Sequence, residues 1–300
     1  MSDDQFDVEP LGSDLTGWLE LGGPEDDTTA RELLSAIDAR PQVERFLIRG
    51  RGTAIGRFAI EWGAVGARTW TPRLRAGIEG DMKRAMMDAA VAAILRRVAD
   101  RQAPFVETVL RRCSTRPPAD PWRDALLKRG FELLATKAER QWIGRRIDVD
   151  RACREASVGG VHVDVVPPTS HGLHAAAREI CETSLDPTLV AEARYGLDLG
   201  DLHRFHAAVV KGNIVGLVGT SDGRPGRSGW IGLVGTQPAW RRCGVASVLV
   251  TAAMADMVTS GTWTIRALVA DRNHPSMMLF GSLGFADTGE RSDVAWWETR

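Results

Sequence analysis

The chain is short of the residues that build metal, redox and membrane chemistry. Its 300 residues include four cysteines and one tyrosine. Cys113, Cys153, Cys181 and Cys243 lie far apart, with no Cys-x-x-Cys pair and no His-Glu-x-x-His. Structural zinc and a zincin-type metal site are therefore not expected; a reducing, cytoplasmic compartment is. No stretch approaches the ~20 uncharged apolar residues that span a bilayer. The acidic opening Met1-Ser2-Asp3-Asp4-Gln5 lacks the basic-then-apolar pattern of a secretory signal. Lys and Arg total 38 against 39 Asp and Glu, a net charge of −1. That balance lacks the basic excess of nucleic-acid binders. Neither nucleic acid nor membrane is expected as a partner, and the oligomeric state is left open.

What is present is material for two cores. Hydrophobic residues make up 44% of the chain and charged residues 26%, a globular composition. At about 150 residues per domain, the length argues for two domains. In the second half, strand and helix patterns alternate. Val161 to Val166 reads as a strand ended by Pro167-Pro168, with helices expected over 172–182 and 187–195. A hairpin follows over 205–219, turning at Lys211-Gly212-Asn213. Trp230 to Thr236 is apolar on both faces and reads as a central strand. A helix over 244–258, a strand over 262–270, a short helix over 275–282 and a hairpin over 285–299 complete the half. The first half repeats the order: a hairpin over 46–62, a strand over 67–74, a helix over 81–101, a strand over 105–110 and a helix over 122–128. Gly130-Phe131 and Gly284-Phe285 are each followed, at the same spacing, by a tryptophan, Trp142 and Trp296. Two diverged copies of one αβ unit are expected, over 1–150 and 151–300.

The chemistry concentrates between Leu233 and Ser247. This is a buried strand, a turn, and a helix whose first residues are small. The first N–H groups of a helix have no intrahelical partner, and the macrodipole adds about half a positive charge there. Gly244 and Ala246 leave room for a phosphate, and Arg241 and Arg242 add charge. A nucleoside-triphosphate loop would need Gly-Lys-Ser/Thr. A dinucleotide site would need Gly-x-Gly-x-x-Gly, whereas the corresponding positions are Gly244, Ala246 and Leu249.

Arg241-Arg242-Cys243-Gly244-Val245-Ala246 resembles the Arg/Gln-x-x-Gly-x-Gly/Ala loop of the GNAT superfamily, the acyl-CoA-dependent N-acyltransferases. Val234-Gly235-Thr236-Gln237-Pro238 before the loop agrees, as does Asn273 with a short helix ending Leu283-Gly284-Phe285. The resemblance covers 161–300 well and the first half weakly. It implies an α/β fold of two GNAT-like domains, each a twisted, mostly antiparallel sheet flanked by helices, with an acetyl-CoA site in the second. It also implies roles. Arg241, Arg242, Cys243, Gly244, Val245, Ala246 and Ser247 would hold the pyrophosphate. Val234, Gly235 and Thr236 would line the pantetheine arm, with Val234 and Thr236 pairing through their backbone. A backbone N–H in that stretch would polarise the thioester, a contribution of about 2.7–4 kcal/mol where such donors have been deleted. Asn273 and Phe280 would lie at the thiol end, though Asn273 also suits a plain helix cap.

Acid–base chemistry is less legible. An alkylamine with a pKa near 10.4 is almost wholly protonated at pH 7, so its attack on a thioester needs a proton acceptor. The resemblance implies a tyrosine as acid in the short helix, where Phe280 stands, and a glutamate as base on the central strand, which reads Trp230-Ile231-Gly232-Leu233. Asp271 and His274 are the catalytic candidates, with His206 a further one. Gly219-Thr220-Ser221-Asp222-Gly223 mimics a nucleophile elbow, but loop residues follow where the elbow needs a helix. The first copy has Thr71 to Gly80 where the loop should be, with Glu79 and Asp81 opposing a phosphate, and is expected to bind no CoA. The expected function is acetyl transfer from acetyl-CoA to an amine of a small molecule or peptide. The alternatives are a non-catalytic acyl-CoA sensor, or an enzyme with the tandem architecture of mycothiol synthase.

Overall fold

In the computed structural model the described residues are 6–11, 18, 21, 42–63, 66–112, 120–143, 161–166, 172–184, 202, 204–221 and 228–299. The chain divides into two compact units, Met1–Leu134 with Ser292–Arg300, and Ala135–Arg291.

In the first unit β1 (Asp7–Pro10), β2 (Val43–Gly50) and β3 (Thr53–Trp62) pair antiparallel in sequence order. The β2–β3 turn is Arg51-Gly52, with φ of 50° and 78°. Two successive positive φ values make the type I′ turn whose twist suits a two-residue hairpin. β4 (Ala67–Thr69) pairs antiparallel with β3 and parallel with β6 (Phe105–Arg112), while β5 (Arg73–Leu74) returns to β3. The strand expected over 67–74 is thus two pieces, parted by Trp70-Thr71-Pro72; proline has no N–H for a ladder. Helix α1 (Gly80–Asp100) buries Met86, Ala90, Ile94 and Val98, a spacing of four that makes one face. That face belongs to a core with Phe46, Phe58, Ile60 and Trp122. Helix α2 (Pro121–Lys128) is capped by Asp120, whose carboxylate accepts the Trp122 N–H at 3.0 Å. The end of the chain completes this unit. Trp296 stacks on Phe105 at 4.0 Å, and the Thr299 N–H donates to the Pro104 carbonyl at 2.8 Å.

In the second unit β8 (His162–Val166), β9 (Arg204–Val210), β10 (Asn213–Ser221) and β11 (Gly229–Thr236) pair antiparallel. Lys211-Gly212, with φ of 49° and 82°, repeats the type I′ turn between β9 and β10. β11 runs parallel to β12 (Thr264–Ala270), and β12 antiparallel to β7 (Glu132–Ile143). Helix α3 (Leu173–Ser184) packs with Leu202, Phe205, Leu217 and Leu233 on one face of the sheet. Helix α4 (Val245–Thr259) places Leu249, Ala253, Met254 and Met257 against Val218, Ile231 and Ile265 on the other. Helix α5 (His274–Ser282) ends at Gly284, whose φ of 84° is the left-handed stop expected there.

The units do not part at residue 150. β7 follows α2 in sequence, yet from Ala135 onward it belongs to the second unit. β13 (Ala286–Glu298) follows α5, yet from Ser292 onward it belongs to the first. Local residue patterns mark a strand without marking which sheet takes it. The hairpin expected over 285–299 is the single strand β13, with Gly289 at φ 80°. The expected boundary between residues 150 and 151 and the helix expected over 187–195 lie outside the described residues.

Candidate functional site

The site begins where two paired strands separate. The parallel ladder of β11 and β12 runs from Gly229↔Ile265 to Ile231↔Ala267, and there it ends although both strands continue. β12 goes on to Ala270 against β7, and β11 goes on to Thr236 against β10. On β11 the register shifts between Leu233↔Gly219 and Ile231↔Thr220, so Gly232 stands without a counterpart. That is a β-bulge, which bends the strand at the fork. The Gln237 N–H donates to the Val215 carbonyl at 2.8 Å. Backbone groups alternate sides along an antiparallel strand. Gly235 and Leu233 therefore turn theirs toward β10, while Val234 and Thr236 turn theirs toward the side that β12 has left. The fork thus offers a strand edge on which an extended ligand can pair.

The end of this edge leads directly to an anion cradle. One 3-10 turn, Pro238–Trp240, reverses the chain. Arg242 (φ 60°) and Gly244 (φ 82°) are left-handed on either side of Cys243. Alternation of this kind turns successive N–H groups toward one concavity, a nest. Gly244 is the N-cap of α4, no side chain caps the helix, and its first turn holds no acidic residue. The N–H groups of Val245, Ala246 and Ser247 precede the first intrahelical bond, which Val248 N–H makes to the Gly244 carbonyl at 3.1 Å. Arg242, Cys243 and Gly244 are exposed. The residues present fit the diphosphate and pantetheine arm of a CoA thioester.

Three expected cofactor contacts need correction. Gly235 turns its backbone to β10, and a Cβ there would lie 2.3 Å from Ile180 Cγ2. Its lack of a side chain lets α3 approach β11, so it is a packing glycine. Phe280 is 3% exposed and meets Phe285 edge-on at 4.9 Å; it lies in the core and presents no surface to a ligand. Arg241 donates to the Thr183 carbonyl at 2.6 Å, so its charge complements the C-terminal end of α3.

Asn273 caps α5, its Oδ1 accepting the Ser276 N–H at 3.2 Å. This leaves its amide NH₂ outside the cap. Asp271 and His274 are both exposed at the β12–α5 junction. The Asp271 carboxylate lies 3.6 Å from Arg291 Nε. Arg291 is itself held by Asp287 through contacts of 2.9 and 3.0 Å. The Arg291 hydrogen bond is the main cause that holds the Asp287 carboxyl below the usual aspartate range. His206 is buried, with Nε2 3.4 Å from Asp256. Asp256 lies twelve residues past Gly244, roughly 18 Å along α4. His206 thus serves the far end of that helix, away from the fork.

One group escaped the sequence reading. On the α3 face at the fork, Arg266 Cζ lies 6.0 Å from the centre of the Trp230 ring. Glu139 Oε1, from β7, lies 3.5 Å from Arg266 Nη1. Glu139 sits level with Leu268, the first β12 residue past the fork. No local pattern around residue 139 points to the second half of the chain, so nothing in the sequence could have placed it there.

Residues 173–285 match the acetyltransferase (GNAT) family. No curated protein matches the chain by sequence. Among solved structures, a tandem GNAT protein from the clavulanic acid biosynthesis pathway is similar over 98% of both chains, with a TM-score of 0.64 at 16% identity. A GCN5-related N-acetyltransferase from Sphaerobacter thermophilus is similar over 98% of this chain and 96% of its own, with a TM-score of 0.61 at 17% identity. A GCN5-related glucosamine N-acetyltransferase region of a fungal multi-domain β-N-acetylglucosaminidase is similar over 97% of this chain and 38% of that one, with a TM-score of 0.62 at 12% identity. These likenesses establish a tandem GNAT fold. Among the described residues no helix is long and apolar enough to cross a membrane, and no cluster of three His, Cys, Asp or Glu side chains could hold a metal ion.

Proposed function

We propose that this chain, which carries a GNAT acetyltransferase domain over 173–285 within a tandem GNAT fold, transfers an acetyl or other short acyl group from CoA to an amine of a small molecule or peptide. One observation carries the reading. The fork at which the Val234 backbone faces away from β10 runs straight into a helix start free of side-chain caps and acidic residues. The amides of Arg242 to Ser247 would hold the diphosphate, and the Val234–Thr236 edge the pantetheine arm. The bound thioester supplies an electrophilic carbonyl. The Val234 N–H would polarise it, and the Asn273 amide would meet the thiol end.

Phe280, buried where the resemblance implies a tyrosine, favours a second reading: an acyl-CoA-binding module without catalysis. Melting the protein with and without acetyl-CoA is the test. At a hundred times the dissociation constant, stabilisation of about 2.7 kcal/mol is expected. No shift would overturn both readings. A shift without thiol release across a broad panel of primary amines would select the second.

A further inference from the structure

We infer that Glu139, on the strand that the first half of the sequence lends to the second unit, is the group that receives the acceptor's ammonium and takes its proton. The inference rests on the acyl-transfer reading above. β11 has no carboxylate at the fork, since Trp230-Ile231-Gly232-Leu233 occupy that stretch. The neighbouring ladder supplies one. Glu139 pairs with Leu268 one step past Ile231↔Ala267, the last pair before the strands separate. Its side chain is on the α3 face with Arg266 and Trp230, spanning β7, β12 and β11 in one row. At that level Gly232 is exposed and Leu268 half-buried, so the row borders accessible space.

Glu139 is only 9% exposed, and a carboxylate so buried needs compensation. Its pairing with Arg266 is loose. The 3.5 Å gap to Arg266 exceeds the ~2.7–2.9 Å of a charge-assisted hydrogen bond. The Arg266 guanidinium is also turned to the Trp230 ring. A carboxylate accepts through about four lone-pair positions, so Glu139 keeps capacity for an ammonium beside the arginine. The acceptor class that follows is a primary amine, cationic in solution.

The step balances on this one group. Glu139 takes one proton from the acceptor ammonium and releases it to solvent, and the freed lone pair forms the C–N bond at the thioester carbonyl. The C–S bond breaks, the now cationic nitrogen gives its second proton to Glu139, and Glu139 passes that proton to the departing sulfur, so that ammonium and thioester become amide, thiol and one released proton. No separate acid at Phe280 is then required.

A pair of CoA thioethers tests this without knowledge of the acceptor. S-(2-aminoethyl)-CoA places an ammonium just beyond the sulfur, and S-propyl-CoA is its neutral counterpart. By titration calorimetry, the wild-type chain should bind the ammonium form about tenfold or more tightly than the propyl form. Glu139→Gln should abolish that preference and leave the S-propyl-CoA affinity unchanged, which also reports a folded site. Glu139→Asp, which keeps the charge on a shorter arm, should give an intermediate ratio and decides the matter if the Gln variant does not fold. Equal affinity for the two thioethers in the wild type, or an undiminished preference in either variant, overturns the assignment. Failure of both thioethers to bind the wild type would instead overturn the CoA reading itself.

Discussion

The two units share one plan up to a short parallel ladder, and diverge just past it. In the first, β4 meets β6 through Ala67↔Val106, Arg68↔Glu107 and Thr69↔Thr108. In the second, β11 meets β12 through three pairs as well, ending at Ile231↔Ala267. Beyond that ladder β11 continues unbroken to Thr236, whereas β4 stops, bends at Trp70–Pro72 and resumes against β3. The following helix starts at Gly244 without acidic residues in one case. In the other it starts at Glu79, with Asp81 in the first turn salt-bridged to Arg84. Carboxylates suit a helix start electrostatically and so close it to a phosphate. Among the described residues, the first unit keeps its apolar core with no such cradle at this helix start, which separates the demands of folding from those of ligand binding.

The strongest way to break the comparison is a carboxylate at each loop glycine. Gly244→Glu should abolish acetyl-CoA binding, a loss of a hundredfold or more by calorimetry, through charge at the nest and strain at φ 82°. Gly77→Glu, at φ 85° in the first unit with open space around its Cβ, should cost roughly 1 kcal/mol of stability and leave acetyl-CoA affinity untouched. Equal effects on affinity would mean that the loops had been assigned wrongly.

A smaller effect is expected where α3 meets β11. Gly235→Ala forces a methyl against Ile180 and should destabilise the chain by about 1–3 kcal/mol in denaturant melts. Ile180→Ala in that background should recover part of the loss. Smallest are the caps, which the two units hold in common. Asp120→Ala and Asn273→Ala should each cost about 1 kcal/mol. Only the second should weaken acetyl-CoA, because only Asn273 adjoins the fork.

Much of this was legible in the residues. The loop glycine, the central strand, the I′ turns and the α5 cap all rest on chemistry within a few positions of each other. What could not be read depends on distant partners. The fork follows from where a ladder stops, and the role of Gly235 from a helix fifty residues earlier in the chain. Phe280 occupies the position expected for a cofactor contact, yet its ring turned inward to Phe285, an outcome that helix spacing alone leaves open. Glu139 reached the site through the exchange of last strands, which no periodicity records.

That exchange has a consequence for how the protein is made. The first unit includes Ser292–Arg300, so its sheet lacks a member until that stretch has been synthesised. The half that leaves the ribosome first must wait for a segment made after the whole second unit before its fold can close. A premature stop just before Ser292 would therefore damage the older part of the nascent chain, rather than the part nearest the cut.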